Sequence, residues 1–310
     1  MLLHLFRRSL LTLALLACSL TALARDPVSV ALPVTPDGAI KAIGTAMGEG
    51  KFEVVWQALP ASYQTDIKKL IVDFSKKMDA ELWNQGNKVG GKVAKILADK
   101  ADFIVANPVI AKQLEAQNIK PEDAKTYLTS FGSVLGDVQT NVATLPQLEK
   151  LEPEKLLAHL GPKVKEMNEV SARMGILPPG SNMTDWYKVD AKLVSSEGDS
   201  AKVDLTKPDG KTQTVDLLKV EGKWVPKQMA EDWSKNMEQA TKVLEAMQIA
   251  PAQKQQVLFF TGIANGVLDT FLNAKTQAEF DDAVNGAMAM LGGGLPGGAA
   301  PQPRPLQPLP

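Results

Sequence analysis

Tyr187-Lys188-Val189-Asp190-Ala191-Lys192-Leu193 alternates apolar and charged residues, and the rhythm returns in Ala201-Lys202-Val203-Asp204-Leu205 and Thr214-Val215-Asp216-Leu217. A two-residue period puts one kind of side chain on each face of an extended strand. Glu197-Gly198-Asp199, Pro208-Asp209-Gly210 and Glu221-Gly222 separate the runs with short turn signals, and Lys223-Trp224-Val225 closes the series. Four strands joined by such short turns form an antiparallel meander with one buried face. The flanking sequence has a helical period. The chain is therefore expected to be α+β and predominantly helical, with one four-stranded antiparallel meander (about 186–226) packed by helices.

Upstream, Asp37 starts a helix over Gly38 to Met47, and Phe52, Val55, Trp56 and Leu59 share a face of a short second one that Pro60 stops. From Ser62 a longer helix carries Ile67, Leu70, Ile71, Phe74, Met78 and Leu82 on one stripe, after which Gly86, Gly90 and Gly91 interrupt the pattern. Lys120-Pro121-Glu122-Asp123 begins a helix to about Val138 that buries Ala124, Leu128, Phe131 and Leu135. Thr144 and Gln147 have capping-box spacing, and Glu152-Pro153-Glu154 opens a helix that Gly161-Pro162 kinks or ends. Downstream, Met229, Trp233, Met237, Ala240 and Leu244 share a face. The helix begun by Pro251 is expected to bury Val257, Phe260, Ala264, Leu268 and Leu272, with Gly262 and Gly266 at a spacing that lets helices approach closely. Thr276 and Glu279 form a second capping box, before a helix through Phe280, Val284 and Met288.

The ends read differently. Arg7 and Arg8, the apolar run Leu10 to Ala17 and the small-x-small site Ala22-Leu23-Ala24 are the parts of a secretory signal peptide, with cleavage between Ala24 and Arg25. Cys18 offers a competing reading, because Leu15-Leu16-Ala17-Cys18 resembles a bacterial lipobox, in which the cysteine would be lipidated. Leu16 is a poor residue for its place in that motif and Leu20 to Ala24 is an odd sequel to an anchor, so ordinary cleavage is preferred. Residues 1–24 are thus a leader, 25–36 an extended lead-in, 37–291 one α+β domain, and 292–310 a disordered tail of Gly, Pro, Ala and Gln. The expected location is the periplasm, with a lipid anchor through Cys18 as the alternative.

Composition excludes much chemistry. The leader carries two arginines and no acid, so its loss takes the formal charge from −1 to −3, a field suited neither to nucleic acid nor to acidic membranes. Cys18 is the sole cysteine, and His4 and His159 are the two histidines, of which only His159 outlasts the leader. Zinc and haem sites built from several His or Cys are then out of reach, a hydrolytic triad would have only His159 for its base, calcium held by carboxylates stays open although no D-x-D-x-D-G run exists, and no cofactor is expected. His159, in Leu156-Leu157-Ala158-His159-Leu160-Gly161-Pro162, reads as a helix-terminal residue favoured by the dipole.

Residues 38–59, with Ala42-Ile43-Gly44 and Gly50-Lys51-Phe52-Glu53, and residues 186–226, with Ala-Lys-Val-Asp-Leu, Pro-Asp-Gly-Lys and Glu-Gly-Lys-Trp-Val, resemble exported bacterial nuclear transport factor 2-like domains. The resemblance implies opening helices laid against a curved antiparallel sheet. It covers about a quarter of the chain; the long helical stretch 61–185 and the helices after the sheet depart from it, and it carries over no catalytic residue.

Asp185, Trp186 and Tyr187 are the candidate ligand-binding group, an acid beside two aromatics that could floor a cleft, although packing at the sheet–helix junction is the plainer role. Asp281 and Asp282 fall in a first helical turn, where acids answer the dipole. Trp224 and Trp233 are expected to pack together. The methionines are spaced as core fillers. The leading expectation is an exported, non-catalytic protein that binds an unknown small molecule or envelope protein. It has no transmembrane span, and a membrane anchor only if Cys18 is lipidated. A hydrolase using carboxylates alone, or a scaffold using the Pro-rich tail, is the alternative.

Overall fold

The structure, a computed structural model, describes residues 27–175 and 187–292. Twelve helices and one sheet are found among them, and the fold is α+β. Strands β1 (Asp190–Glu197), β2 (Ser200–Thr206), β3 (Thr212–Val220) and β4 (Lys223–Pro226) lie in that order, each antiparallel to the next. The alternation sorts as the sequence requires except at Leu193, which is exposed where the β1–β2 register shifts between Leu193 and Ser195. Ala191, Ala201, Val203 and Leu217 are buried on one face, while Lys202 pairs with Asp216 at 3.2 Å and Thr214 donates to Asp204 at 2.6 Å on the other. Helix α1 (Pro36–Gly48) lies on β1 and β2, placing Ile40 against the buried alanines.

Helices α2 (Glu53–Gln57), α3 (Ala61–Lys77), α4 (Ala80–Asp99), α5 (Ala101–Ala106) and α6 (Pro108–Ala116) follow α1. Next come α7 (Pro121–Asn141), α8 (Leu145–Glu149) and α9 (Pro153–Met174), and, after the sheet, α10 (Lys227–Ala246), α11 (Pro251–Asn273) and α12 (Gln277–Gly292). Four of the long helices form a row, α9–α7–α4–α11. Arg173 meets Asp123 and Ser130 meets Glu166, so α9 and α7 are antiparallel. The Trp83 indole donates to Val142 O across α4 and α7, which are antiparallel too. Lys254 reaches Asp79 at 2.8 Å and Lys92 reaches Asp269 at 2.8 Å, which makes α11 parallel to α4. Helix α9 joins the row to α1 and α2, and through α1 to the sheet, and α10 bridges α3 to β3 and β4. No helix among the described residues is long and apolar enough to cross a membrane.

The structure differs from the sequence reading at several points, each with a local cause. The stripe from Ile67 to Leu82 is cut, because Asp79 accepts from the Glu81 and Leu82 amides and starts a new helix. That helix then runs unbroken through Gly86, Gly90 and Gly91. Helix α7 buries Ala124, Ser130, Gly132 and Asn141 instead of its large residues, and Phe131 is exposed. It is squeezed between two helices: a Cβ on Gly132 would stand 2.7 Å from Ala94 O of α4. Val257 and Phe260 of α11 are exposed, since α11 ends the row and, beyond α4, is met by α12, whose Phe280 packs on Phe271 near the end of α11. Trp233 stacks on Tyr63, ring centroids 3.8 Å apart, and its indole donates to Asp66, whereas the Trp224 indole donates to Val34 O. Each tryptophan thus pins a different segment. Both capping boxes form as expected.

Candidate functional site

Helix α2 is only five residues long, yet it organises a place where sheet and helices leave room. Glu53 and Gln57 are four apart and share its face. The Glu53 Oε1 accepts from Val28 N at 3.2 Å and the Gln57 Oε1 from Val30 N at 3.0 Å. The Gln57 amide donates to Val28 O at 3.0 Å and to Glu154 Oε1 at 2.8 Å. Two side chains thus bond alternate residues of the lead-in as a neighbouring strand would, and residues 27–34 become a strap across α2. Glu53 is buried beneath it, and its Oε2 has no hydrogen-bond partner among the described residues.

Under the strap lies a cavity of about 400 Å3, in the size range of small-ligand sites. It is bounded by the strap, the α2–α3 corner, the start of α9 and the β3–β4 turn, with Gln57, Gln64, Glu154, Glu221 and Lys223 among its lining residues. Gln64 turns its amide into the corner and donates to Trp56 O and Leu59 O at the end of α2.

Glu221 is placed by the turn. Glu221 and Gly222 both have positive φ, 49° and 79°, the pair of left-handed residues that closes a tight hairpin matching the twist of the sheet. This aims the Glu221 carboxylate at the first turn of α3, where its Oε2 accepts from Ser62 N at 3.1 Å. The residue before α3 is Pro60, which makes no side-chain cap of its own, so the sheet supplies that cap from 159 residues away in sequence. Hydrogen bonds from Ser62 hold the Glu221 carboxyl below the usual carboxylate range. It is a fixed anion in a lining that also includes Lys223.

Of the residues singled out from the sequence, Tyr187 is described and lies in the junction of sheet, α1 and α9. Its hydroxyl accepts from Asn168 at 3.1 Å and its ring stands edge-on to Phe52 at 6.2 Å. Burial pushes its pKa up. It does not line the cavity. Asp185 and Trp186 lie outside the described residues, as do Ala24, Arg25, Cys18 and the tail beyond Gly292. Asp281 accepts from Asn107 at 2.7 Å and from Gln277 at 2.9 Å, a tie between α12 and the α5–α6 corner.

His159 is in the interior of α9, which continues through Pro162; it is not a helix-terminal residue. Its Nε2 lies 3.0 Å from Asp137 Oδ2 of α7, and Lys163 pairs with the same oxygen. Among the described residues, no group of three or more His, Cys, Asp or Glu is placed to hold a metal ion.

The cavity residues come from four separated stretches of chain, each with an ordinary local reading. Glu154 reads as a first-turn acid and Glu221 as a turn residue, so no linear signal joins them. The chain matches no family model, no curated protein and no solved structure.

Proposed function

We propose that this is an exported, non-catalytic binding protein that takes a small polar solute in the cavity under the strap. The cavity carries the reading, because its lining combines two carboxylates, one ammonium and two primary amides within a small volume. Such a set suits a zwitterion, its ammonium between Glu154 and Glu221 and its acidic group on Lys223. Glu221 is held ionised by its hydrogen bonds from Ser62, which suits it to receive a cation, and the lining residues include no histidine.

The same reading takes residues 38–59 and 186–226 as a nuclear transport factor 2-like core, supported by α1 lying on β1 and β2. It also takes the first 24 residues as a removed leader, so that the strap begins close to the new amino terminus at Arg25.

Calorimetric titration with a panel of free amino acids tests the site. At least one is expected to bind, with affinity about tenfold weaker in Glu154→Gln and in Lys223→Met and unchanged in Tyr187→Phe. Absence of any binding at millimolar concentration, or steady turnover of a bound solute, would sink the proposal. Intact-mass measurement of protein from the periplasmic fraction is expected to find Arg25 as the first residue.

A further inference from the structure

Helix α11 is apolar around most of its circumference, yet no residue on it is buried. A helix of that kind is normally enclosed on all sides. On its inner side it leans on α4, and the two charged side chains that it carries are already spent there: Lys254 on Asp79 and Glu81, and Asp269 on Lys92. The outward stripe, Ala252, Gln256, Phe259, Ile263, Gly266 and Thr270, is exposed, uncharged and spaced alternately by four and three, the pattern of a helix-pair seam. Phe259 is 64% exposed, Phe260 42% and Val257 45%. A Cβ added to Gly262 or Gly266 would meet nothing within 4 Å, so both glycines are open notches beside the large side chains.

We propose that this face binds a second copy of the chain in an antiparallel, two-fold symmetric helix pair. With the axis between residues 262 and 263, Phe259 stands over Gly266 of the partner subunit and Ile263 over Gly262 of the partner subunit. Each protrusion then fills the other copy's notch. Three observations select this occupant. The stripe is self-complementary in shape under that one rotation, as an isologous interface must be. It carries no charge, so pairing it with itself brings no like charges together and strands none. The stripe is exposed along its whole length from Ala252 to Thr270, about 27 Å of helix, so a second copy laid antiparallel on it covers all of it. The cavity under the strap plays no part, so the dimer stands or falls independently of the binding reading.

Sedimentation equilibrium of the purified protein tests it. A dimer is expected at tens of micromolar, turned to monomer by Ile263→Asp with the far-ultraviolet circular dichroism unchanged, and retained in Val194→Asp, which alters an exposed residue of β1. If Ile263→Asp fails to fold, cross-linking decides: in a Cys18→Ser background, Ile263→Cys is expected to join two copies through a short bis-maleimide and Val194→Cys to leave them separate. A wild-type monomer at every concentration, a dimer that survives Ile263→Asp, or cross-linking through residue 194 but not 263 would overturn the proposal. So would a monomer whose Phe259 drives it onto phospholipid vesicles.

Discussion

The two ends of the helix row are built on opposite principles. At the sheet end, α2 and α9 bury Val54, Trp56, Leu156, Leu160 and Val170 almost completely. The backbones touch: a Cβ on Gly161 would stand 2.0 Å from Gly50 O. At the far end α11 has no buried residue, and neither has α10, which runs outside the row from β3 and β4 along α3. Those helices are held by directional contacts instead, namely the Trp233–Tyr63 stack, the Trp233–Asp66 hydrogen bond and the lysine bridges to α4. Stability is therefore concentrated where the strap and cavity sit. The far end offers surface.

The sharpest way to break this contrast is to add one methyl group at each end. Gly161→Ala drives a Cβ into a backbone carbonyl that cannot step aside, and is expected to cost about 3 kcal/mol in urea denaturation. Gly286→Ala in α12 meets nothing within 4 Å, and is expected to gain about 0.5–1 kcal/mol from helix propensity alone. Equal effects would mean that the two ends are packed alike. Removing methyl groups gives a second, smaller test. Val54 is fully buried, and Val54→Ala is expected to cost about 2 kcal/mol. Val257→Ala on the open face is expected to stay within about 0.5 kcal/mol in the monomer.

The contrast also explains what the sequence discloses. The meander was legible because a solvated sheet writes its two faces directly into alternation, and Ala191, Val203 and Leu217 fall where the pattern puts them. Helix starts were legible where a cap is local, as at Thr144 and Thr276. Burial in the row was not. Helical periodicity says which residues share a face but not how many neighbours the helix has. Phe131 and Phe260 read as core and are exposed for different reasons, one because α7 is gripped through its small residues and the other because α11 is last in line. The cavity was illegible because its lining is assembled across the fold. Glu221 caps a helix that begins 159 residues earlier, and no window of sequence contains both.

The strap allows a finer test of the sheet end. Gln57→Ala removes the partner of Val30 N, of Val28 O and of Glu154 together. Hydrogen exchange at the Val30 amide is expected to speed up by about tenfold, a loss near 1.4 kcal/mol of local protection, while the amides of β2 keep their rates. If the strap is held by more than these bonds, its exchange will not change.

The smallest expected effect is electrostatic and singles out the contact between sheet and α3. The Glu221 carboxyl is depressed in the folded protein, mainly by its hydrogen bonds from Ser62. A carboxyl with a lowered folded pKa adds stability at every pH above its unfolded value, and that contribution fades as pH falls through the folded value. Wild-type protein should therefore lose stability on acidification from pH 5 toward pH 3 more steeply than Glu221→Gln, and the two melting curves should draw together at the acid end. Asp79, Asp190 and Glu238 are depressed as well, so the variant reduces the slope without abolishing it. Asp79 holds α11 through Lys254, at the other end of the row. If Asp79→Asn flattens the acid limb while Glu221→Gln leaves it unchanged, the outer helices and not the sheet corner set the acid sensitivity of the fold.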